Sequence, residues 1–243
     1  MLSGYSYEDY LITFIDILGF KEMCGSPFED EETQNLKCNE VLTQLHMLNF
    51  WLKEFEKDGV VKTIQFADTA IRMTRLEQKQ DLLTVLKNEI QEVAKMQAMF
   101  SAGYGCLLRG SIVKGKLFYE EDPKLVCFGP AINRAYMLES SLAIFPRIIL
   151  DSGTLPVKEL SERDSFIRQD ADGLLVLDYL REFEKSGHNL FCDHKNLVTS
   201  NLDKIGKSGN YNERLRQKYS WVKEYHNAFL KNKLPNLSRW IIE

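Results

Sequence analysis

Segments rich in apolar residues alternate with segments of helical apolar spacing through the first 150 residues of the chain. Aromatic and β-branched residues concentrate in some segments, as is typical of strands, and apolar residues recur every three or four positions in others, as in helices. The pattern predicts strands at 10–18, 60–66, 69–73, 106–113, 116–119 and 145–150, and helices at 34–57, 82–100 and 131–142.

The order of these elements predicts an α+β fold. Strand, helix, strand, strand, helix, strand, helix, strand is close to the ferredoxin-like arrangement, an antiparallel sheet with helices packed on it. After residue 151 the pattern loosens, with one candidate strand at 174–179 and an apolar helical stripe at 219–230. We expect a core at 1–150 and a mostly helical C-terminal extension at 151–243 packed on it.

Composition excludes several classes of protein. An apolar fraction of 44% and a charged fraction of 27% are those of an ordinary globular protein. The net charge of -4 argues against a protein that coats nucleic acid. No apolar segment reaches the roughly 20 residues that span a bilayer, and no signal peptide precedes the first strand. We therefore expect a cytoplasmic protein with no membrane partner, and its five scattered cysteines are expected to be free thiols.

Asp16 lies near the end of the first predicted strand. A carboxylate in this position can ligate a divalent cation, and the carbonyl of Ile17 could assist. The backbone N–H groups of Leu18, Gly19 and Phe20 could then turn towards a phosphate. The alternative is that Asp16 only caps the turn after the strand.

Asp68 lies between the two strands of the predicted hairpin. An aspartate there could be an ordinary turn residue. In a ferredoxin-like sheet, however, the hairpin lies next to the first strand, so Asp16 and Asp68 would converge at one end of the sheet. Two such carboxylates could hold Mg²⁺ or Mn²⁺ and through it a triphosphate.

Arg109 and Asn133 are two further candidates. Arg109 is charged within an otherwise apolar strand, where a guanidinium could bind phosphate oxygens, or simply form an ion pair on the sheet. Asn133 stands at the start of a predicted helix, where it could bond a ribose oxygen or cap the helix.

Four segments in this order resemble the catalytic domain of class III nucleotidyl cyclases, and the resemblance covers residues 10–150. They are 14–20 (FIDILGF), 62–68 (KTIQFAD), 108–115 (LRGSIVKG) and 128–139 (FGPAINRAYMLE). The resemblance implies that Asp16 and Asp68 bind two Mg²⁺ or Mn²⁺ ions, that Arg109 contacts the triphosphate and that Asn133 orients the sugar.

The resemblance also implies an activity and an assembly. The ribose 3′-hydroxyl of a nucleoside triphosphate attacks the α-phosphate and pyrophosphate leaves. The site forms between two subunits, so we expect a head-to-tail homodimer with two composite sites.

The chain departs from this family at one catalytic position. The family has an arginine that stabilises the transition state four residues after the asparagine, and here Met137 stands there. Arg134 and Arg147 are possible substitutes, and without one catalysis is weakened or lost.

The chain also departs at the two positions that select the base, where it carries Ile64 and Val126. Apolar residues at these polar positions favour a pyrimidine substrate, UTP or CTP, with cyclic UMP or cyclic CMP as product. The resemblance then extends to the pyrimidine cyclases of bacterial antiphage (Pycsar) defence.

Other classes of function remain open. Met137 motivates a catalytically inactive module that binds a nucleotide or a protein partner. A polymerase-like palm shares the core and the two acidic residues, and would make an oligonucleotide. The C-terminal extension could supply a lysine for the triphosphate, with Lys185 and Lys204 as candidates, or only a dimer contact.

Overall fold

The computed structural model describes residues 5–54, 56, 60–78, 80–161, 166–207 and 213–243. It is an α+β protein in which eight strands form one sheet in the order β2-β3-β1-β4-β6-β8-β7, with β5 paired to β4. The strands are β1 Glu8–Ile17, β2 Val61–Phe66, β3 Thr69–Arg75, β4 Leu108–Glu120, β5 Val126–Phe128, β6 Ile148–Leu150, β7 Ile167–Gln169 and β8 Leu175–Leu177.

Helices cover the sheet on both faces. They are α1 Phe20–Cys24, α2 Glu31–Glu54, α3 Leu82–Gly103, α4 Pro130–Leu142, α5 Val157–Ser161, α6 Leu180–Ser186, α7 Leu190–Lys207 and α8 Glu213–Lys233, followed by a 3₁₀ helix at Pro235–Trp240. The part of the predicted helix that runs on to residue 57 lies mostly outside the described residues. None of the described helices is long and apolar enough to cross a membrane.

The strand pairings confirm the predicted α+β fold. All strand pairs are antiparallel except β4 and β6. The separate strands predicted at 106–113 and 116–119 were wrong, because they form the single strand β4. Strand β1 pairs with β4 without interruption from Leu117 to Leu108, so the polar residues between the two predicted strands are part of the ladder.

Alternation along β1 sends its side chains into two cores. Leu11 and Ile15 join the larger core, which α2 and α3 cover. Ile12 and Phe14 join a second core, which α4 covers. Because side chains alternate along a strand, Asp16 lies on the same face of the sheet as Ile12 and Phe14, the face that α4 covers.

The C-terminal segment continues the same sheet. Strand β8 pairs with β6, and β7 pairs with β8, so two strands of the segment 151–243 extend the core. Helix α7 packs against α6 and α8, and both α6 and α7 contact α3. The boundary at 150 stays a prediction.

A buried histidine pair joins these helices. The rings of His194 and His226 stack with centroids 5.0 Å apart, and their Nδ1 atoms are separated by 3.0 Å. His226 Nε2 lies 2.9 Å from the carbonyl of Trp240, which only accepts, so this nitrogen is assigned the proton. His194 Nδ1 then donates to His226, and the Tyr179 hydroxyl donates to His194 Nε2 at 2.9 Å.

Candidate active site

Asp16 and Arg109 face each other across neighbouring strands. The register of β1 and β4 makes them direct partners. Arg109 Nε donates to Asp16 Oδ2 at 2.8 Å, and its Nη2 lies 2.8 Å from the same oxygen. Asp16 does not cap α1, because the residue before that helix is Gly19 and no side chain caps it. The pair keeps 14% and 24% of its side-chain surfaces exposed, so a ligand can reach it.

Gly110 allows the two strands to approach at this point. A Cβ atom at this position would lie 2.0 Å from the backbone oxygen of Phe14. The glycine beside Arg109 is therefore required by the close contact of β1 and β4, one register position from Asp16.

Asp68 reaches the same end of the sheet from the turn between β2 and β3. Ala67, which precedes it, has a φ of 52°, a left-handed conformation that makes the turn tight. Partial burial and the nearby carboxyl group of Asp16 raise the pKa of Asp68 to about 6. The structure thus brings Asp16 and Asp68 together, with Arg109 beside them.

Glu139 is a third carboxylate in this cluster, and the sequence analysis missed it. Its Oε1 lies 2.8 Å from Arg109 Nη2, and the side chain is buried on the sheet-facing side of α4. Burial raises the pKa of Glu139. Its one sequence signal is its place on the apolar stripe of α4, with Ala131, Ala135 and Leu138, where an acidic residue needs a partner.

Lys218 is the second residue that the sequence analysis missed. It lies on α8, within the C-terminal segment, next to Tyr219, which packs with Leu18 and Leu107. Partial burial and the neighbouring Arg109 lower the pKa of Lys218. No local motif could have found it, because its position depends on how α8 packs on the sheet.

The residues after Asp16 form a tight connection. Ile17 is buried in the larger core, and Gly19 has a φ of 83°, which turns the chain into α1. Phe20 begins α1 and packs partly buried on the same core. Their predicted contacts with a metal ion or a phosphate stay predictions.

Asn133 and Met137 lie outside this cluster. Both are exposed on α4, whereas Glu139 of the same helix faces the sheet. Asn133 does not cap α4, because Gly129 occupies the cap position and no side chain caps the helix. The predicted role of Asn133 in orienting a sugar stays a prediction.

Both proposed substitutes for the missing arginine form ion pairs with aspartates. Arg134 Nε donates to Asp151 Oδ2 at 3.0 Å, and Arg134 Nη2 donates to Asp151 Oδ1 at 2.9 Å. Arg147 is buried and forms ion pairs with Asp170 and Asp172. These pairs engage both guanidinium groups within the chain, and the substitution by either arginine stays a prediction.

The two positions to which the resemblance assigns base selection lie on the α4 face of the sheet and on β5. Ile64 packs partly buried against the second core, and Val126 on β5 is 41% exposed. Of the two lysines considered for the triphosphate, Lys185 lies over the ring of Phe166 at 4.1 Å, and Lys204 is exposed on α7.

Asp16 and Asp68 provide part of the oxygen ligands that a hard divalent cation requires. Asp16 and Asp68 are two oxygen donors that repel each other without a cation between them. Among the described residues no group of three or more His, Cys, Asp or Glu side chains could hold a metal ion. Mg²⁺ is commonly held by one or two carboxylates together with water and substrate phosphates, so the pair fits this chemistry.

Comparison with known proteins supports the fold. No protein-family model and no curated protein sequence matches the chain. Among solved structures, the guanylyl cyclase domain of the RhoGC fusion protein from the aquatic fungus Blastocladiella emersonii is 15% identical, with a TM-score of 0.46, over 71% of this chain and 95% of that domain. The adenylyl cyclase CyaB from P. aeruginosa is 16% identical, with a TM-score of 0.44, over 72% of this chain and 96% of that one.

A third structure aligns over more of the chain. A class III adenylyl cyclase-like ATP-binding protein from Pseudomonas aeruginosa is 14% identical, with a TM-score of 0.50, over 84% of this chain. This chain spans 44% of the length of that protein. The strand order and this similarity together confirm that the chain has the class III cyclase fold.

Proposed function

We propose that the protein is a metal-dependent nucleotide cyclase, which converts a nucleoside triphosphate into a 3′,5′-cyclic nucleotide and pyrophosphate. The observation that carries this proposal is the convergence of Asp16 and Asp68, close enough to raise the pKa of Asp68 to about 6, beside Arg109. Two carboxylates that repel each other next to a guanidinium form a site for a cation and a phosphate together.

The residues of the chain have distinct roles in this reaction. Asp16 and Asp68 would hold two Mg²⁺ or Mn²⁺ ions, which lower the pKa of the ribose hydroxyl and neutralise phosphate charge. Arg109 exchanges Asp16 for phosphate oxygens, while Glu139 keeps its guanidinium at the end of the sheet. The 3′-oxygen loses its proton to solvent and bonds to the α-phosphorus, and the bond from that phosphorus to the leaving pyrophosphate breaks.

A homodimer would complete the site. Asn133 is exposed on α4, and several apolar side chains around it and on the nearby strands are exposed as well, which is unusual for a surface that stays in water. These side chains are Phe66, Val126, Phe128, Tyr136, Met137 and Ile144. Head-to-tail association through α4 would cover apolar residues and bring Asn133 of one subunit to the aspartates of the other.

The proposed substrate is argued from the two positions to which the resemblance assigns base selection. Ile64 and Val126 offer no hydrogen bond to the edge of a purine. We infer a pyrimidine nucleotide, UTP or CTP, and cyclic UMP or cyclic CMP as a signal in antiviral defence.

One observation favours a second function, a cyclase-fold module that binds a nucleotide or a protein partner without turnover. Met137 occupies the place of the transition-state arginine, and ion pairs occupy both Arg134 and Arg147. One structure with this fold is named an ATP-binding protein.

Incubation of the purified protein with each of the four ribonucleoside triphosphates and Mn²⁺ tests these alternatives by mass spectrometry of the products. The cyclase should yield one cyclic mononucleotide and pyrophosphate, and Asp16→Ala should abolish the product. Asp9→Ala is the matched control, because Asp9 lies on the same strand in an exposed ion pair with Lys116.

Each outcome supports one reading. Nucleotide binding without release of pyrophosphate supports the binding module. A product of several nucleotide units supports the polymerase-like palm. Full turnover by Asp16→Ala would refute the assignment of the site.

A further inference from the structure

A cavity of about 360 Å³ opens to solvent between helix α8 and the hairpin of β7 and β8. Its volume is within the roughly 300–1,000 Å³ typical of sites for small molecules. Every side chain that lines it comes from residues 168–233, so it shares none with the site of Asp16 and Asp68 or with the four cyclase-like segments. The cavity is therefore a second candidate site, and the proposed function gives it no role.

One wall of the cavity is aromatic. Trp221, Tyr225 and Phe229 follow one another at intervals of four residues, which places their side chains along one face of α8. The Trp221 ring is partly exposed, and its stack on Phe145, with the two planes 8° apart, fixes its orientation. A wall of this kind favours a flat aromatic ligand, because aromatic rings pack on one another over a large area and with defined geometry.

Arg168, on the wall formed by β7, has hydrogen-bond donors without acceptors. Its Nη1 donates to Asp170 Oδ1 at 3.2 Å. Its Nε and Nη2 are buried and have no acceptor among the residues that the structure describes. The guanidinium carbon lies 4.2 Å from the centroid of the Tyr225 ring, and a ring face replaces an acceptor only in part. The side chain lines the cavity and keeps 21% of its surface exposed, so acceptors on the edge of a ligand would complete its hydrogen bonds.

The charges around the cavity nearly balance. Two lining side chains are basic, Arg168 and Lys233, and three are acidic, Asp170, Asp178 and Glu224. Arg168 and Asp170 form an ion pair, which removes one charge of each sign. The remaining charges give little net attraction to either an anion or a cation. A neutral ligand is favoured, because it avoids the desolvation cost of a charge.

We propose that this cavity is a binding site for a neutral, planar heteroaromatic ring that carries hydrogen-bond acceptors on its edge, the chemistry of an uncharged nucleobase. The ring packs against the aromatic wall of α8, and its acceptors take the free N–H groups of Arg168. The site is separate from the one at Asp16 and Asp68, and the inference does not depend on the proposed function.

The test is the affinity of the full chain for cytidine, uridine, adenosine and guanosine, measured by ligand-observed NMR in EDTA. Nucleosides carry the base without phosphates, and EDTA removes divalent cations, so the measurement does not report a metal-phosphate site. At least one nucleoside should bind with a dissociation constant of about 1 mM or below, as expected for a ligand of this size. Benzoate and benzylammonium, which add a charge to an aromatic ring, should bind more weakly than that nucleoside.

Two lining side chains test the contacts. Trp221→Ala should weaken binding about tenfold, the loss expected when one aromatic side chain is removed from beside a base, and Trp221→Phe should retain affinity within about threefold. Arg168→Lys keeps the charge but loses the planar fork of donors, so it should weaken binding about tenfold.

Ala228→Leu tests the cavity without removing a buried side chain. Ala228 is exposed on α8 and lines the cavity, so the larger side chain occupies space that the ligand needs. Affinity should fall about tenfold or more. Ser200→Leu is the matched control, because it adds the same side chain at an exposed position of α7, and it should bind as the unmodified protein does. Thermal unfolding of every variant checks that the fold is intact.

Asp16→Ala separates the cavity from the candidate active site, and it should leave nucleoside binding unchanged. Binding that is lost in Asp16→Ala and kept in Ala228→Leu would show that nucleosides occupy the candidate active site, and it would overturn the proposal. Equal affinity of the unmodified protein and Ala228→Leu, or no binding of any nucleoside, would also overturn it. Tighter binding of benzoate or benzylammonium than of every nucleoside would overturn the assignment of a neutral ligand.

Discussion

Asp68→Asn should make the metal-free protein more stable while it removes the response to Mn²⁺. The pKa of Asp68 rises from 3.8 to about 6 because the carboxyl is partly buried and close to Asp16. Each pKa unit corresponds to about 1.4 kcal/mol, which would give about 3 kcal/mol for a fully buried group. Asp68 is only partly buried, so solvent screening reduces this to about 1 kcal/mol.

The pH dependence has a definite sign. Between pH 3.8 and about 6 the folded state holds a proton on Asp68 that the unfolded state has lost, so stability falls as the pH rises through this window. The advantage of Asp68→Asn is therefore complete above pH 6 and disappears towards pH 4. For a chain of this length, 1 kcal/mol corresponds to an increase of about 3 °C in Tm.

The assay is thermal unfolding at pH 7.5 in EDTA and in Mn²⁺. Mn²⁺ at about ten times its dissociation constant should stabilise the unmodified protein by about 1.4 kcal/mol, and Asp68→Asn should show no such gain. Asp203→Asn, which changes an exposed aspartate of α7, should match the unmodified protein in both buffers. A variant that is less stable than the unmodified protein in EDTA, or equally stabilised by Mn²⁺, would refute the reasoning.

Three further substitutions test other parts of the structure. Glu139→Ala removes one of the two carboxylates that hold Arg109, and urea denaturation should show a loss of about 2 kcal/mol. Gly110→Ala forces a Cβ against the backbone oxygen of Phe14, and the same measurement should show a loss of about 3 kcal/mol or more. Burial holds the pKa of His226 at about 4, so stability should fall by about 3 kcal/mol as the pH decreases from 6.5 to 4, and His226→Asn should reduce this slope.

Each of these predictions has a control on the same chain. Ser140→Ala changes the exposed neighbour of the buried glutamate, and it should leave stability nearly unchanged. Gly206 lies in α7 with open space at its Cβ position, so Gly206→Ala should stabilise the protein. His188 is exposed, and His188→Asn should keep the full pH slope. The same slope in both histidine variants would contradict the histidine assignment.

The class of fold could be predicted because its signals are local. The apolar segment before Gly19 marks β1, and the two apolar segments around Asp68 mark the hairpin. Once the order of elements indicated which strands are neighbours, the meeting of Asp16 with Asp68 followed from the topology. The arginine in β4 stood out because a charge within an apolar strand needs a partner.

The remaining site residues depend on contacts between distant segments. Glu139 is a buried acid only because α4 packs over Arg109, and Lys218 approaches the site only because α8 packs against Leu18. The sequence indicated no partner for Arg134, but Asp151 engages its guanidinium from a loop that follows β6. Local spacing carries no information about such pairings.

The mixed pairing of β6 has a consequence for how the protein can be divided. Strand β6 pairs with β4 on one side and with β8 on the other, and β8 arrives 25 residues later in the chain. A fragment that ended at residue 150 would leave the backbone groups of β6 unpaired along an open sheet edge, which favours aggregation. During synthesis, therefore, β6 cannot be paired on both sides until β8 has left the ribosome.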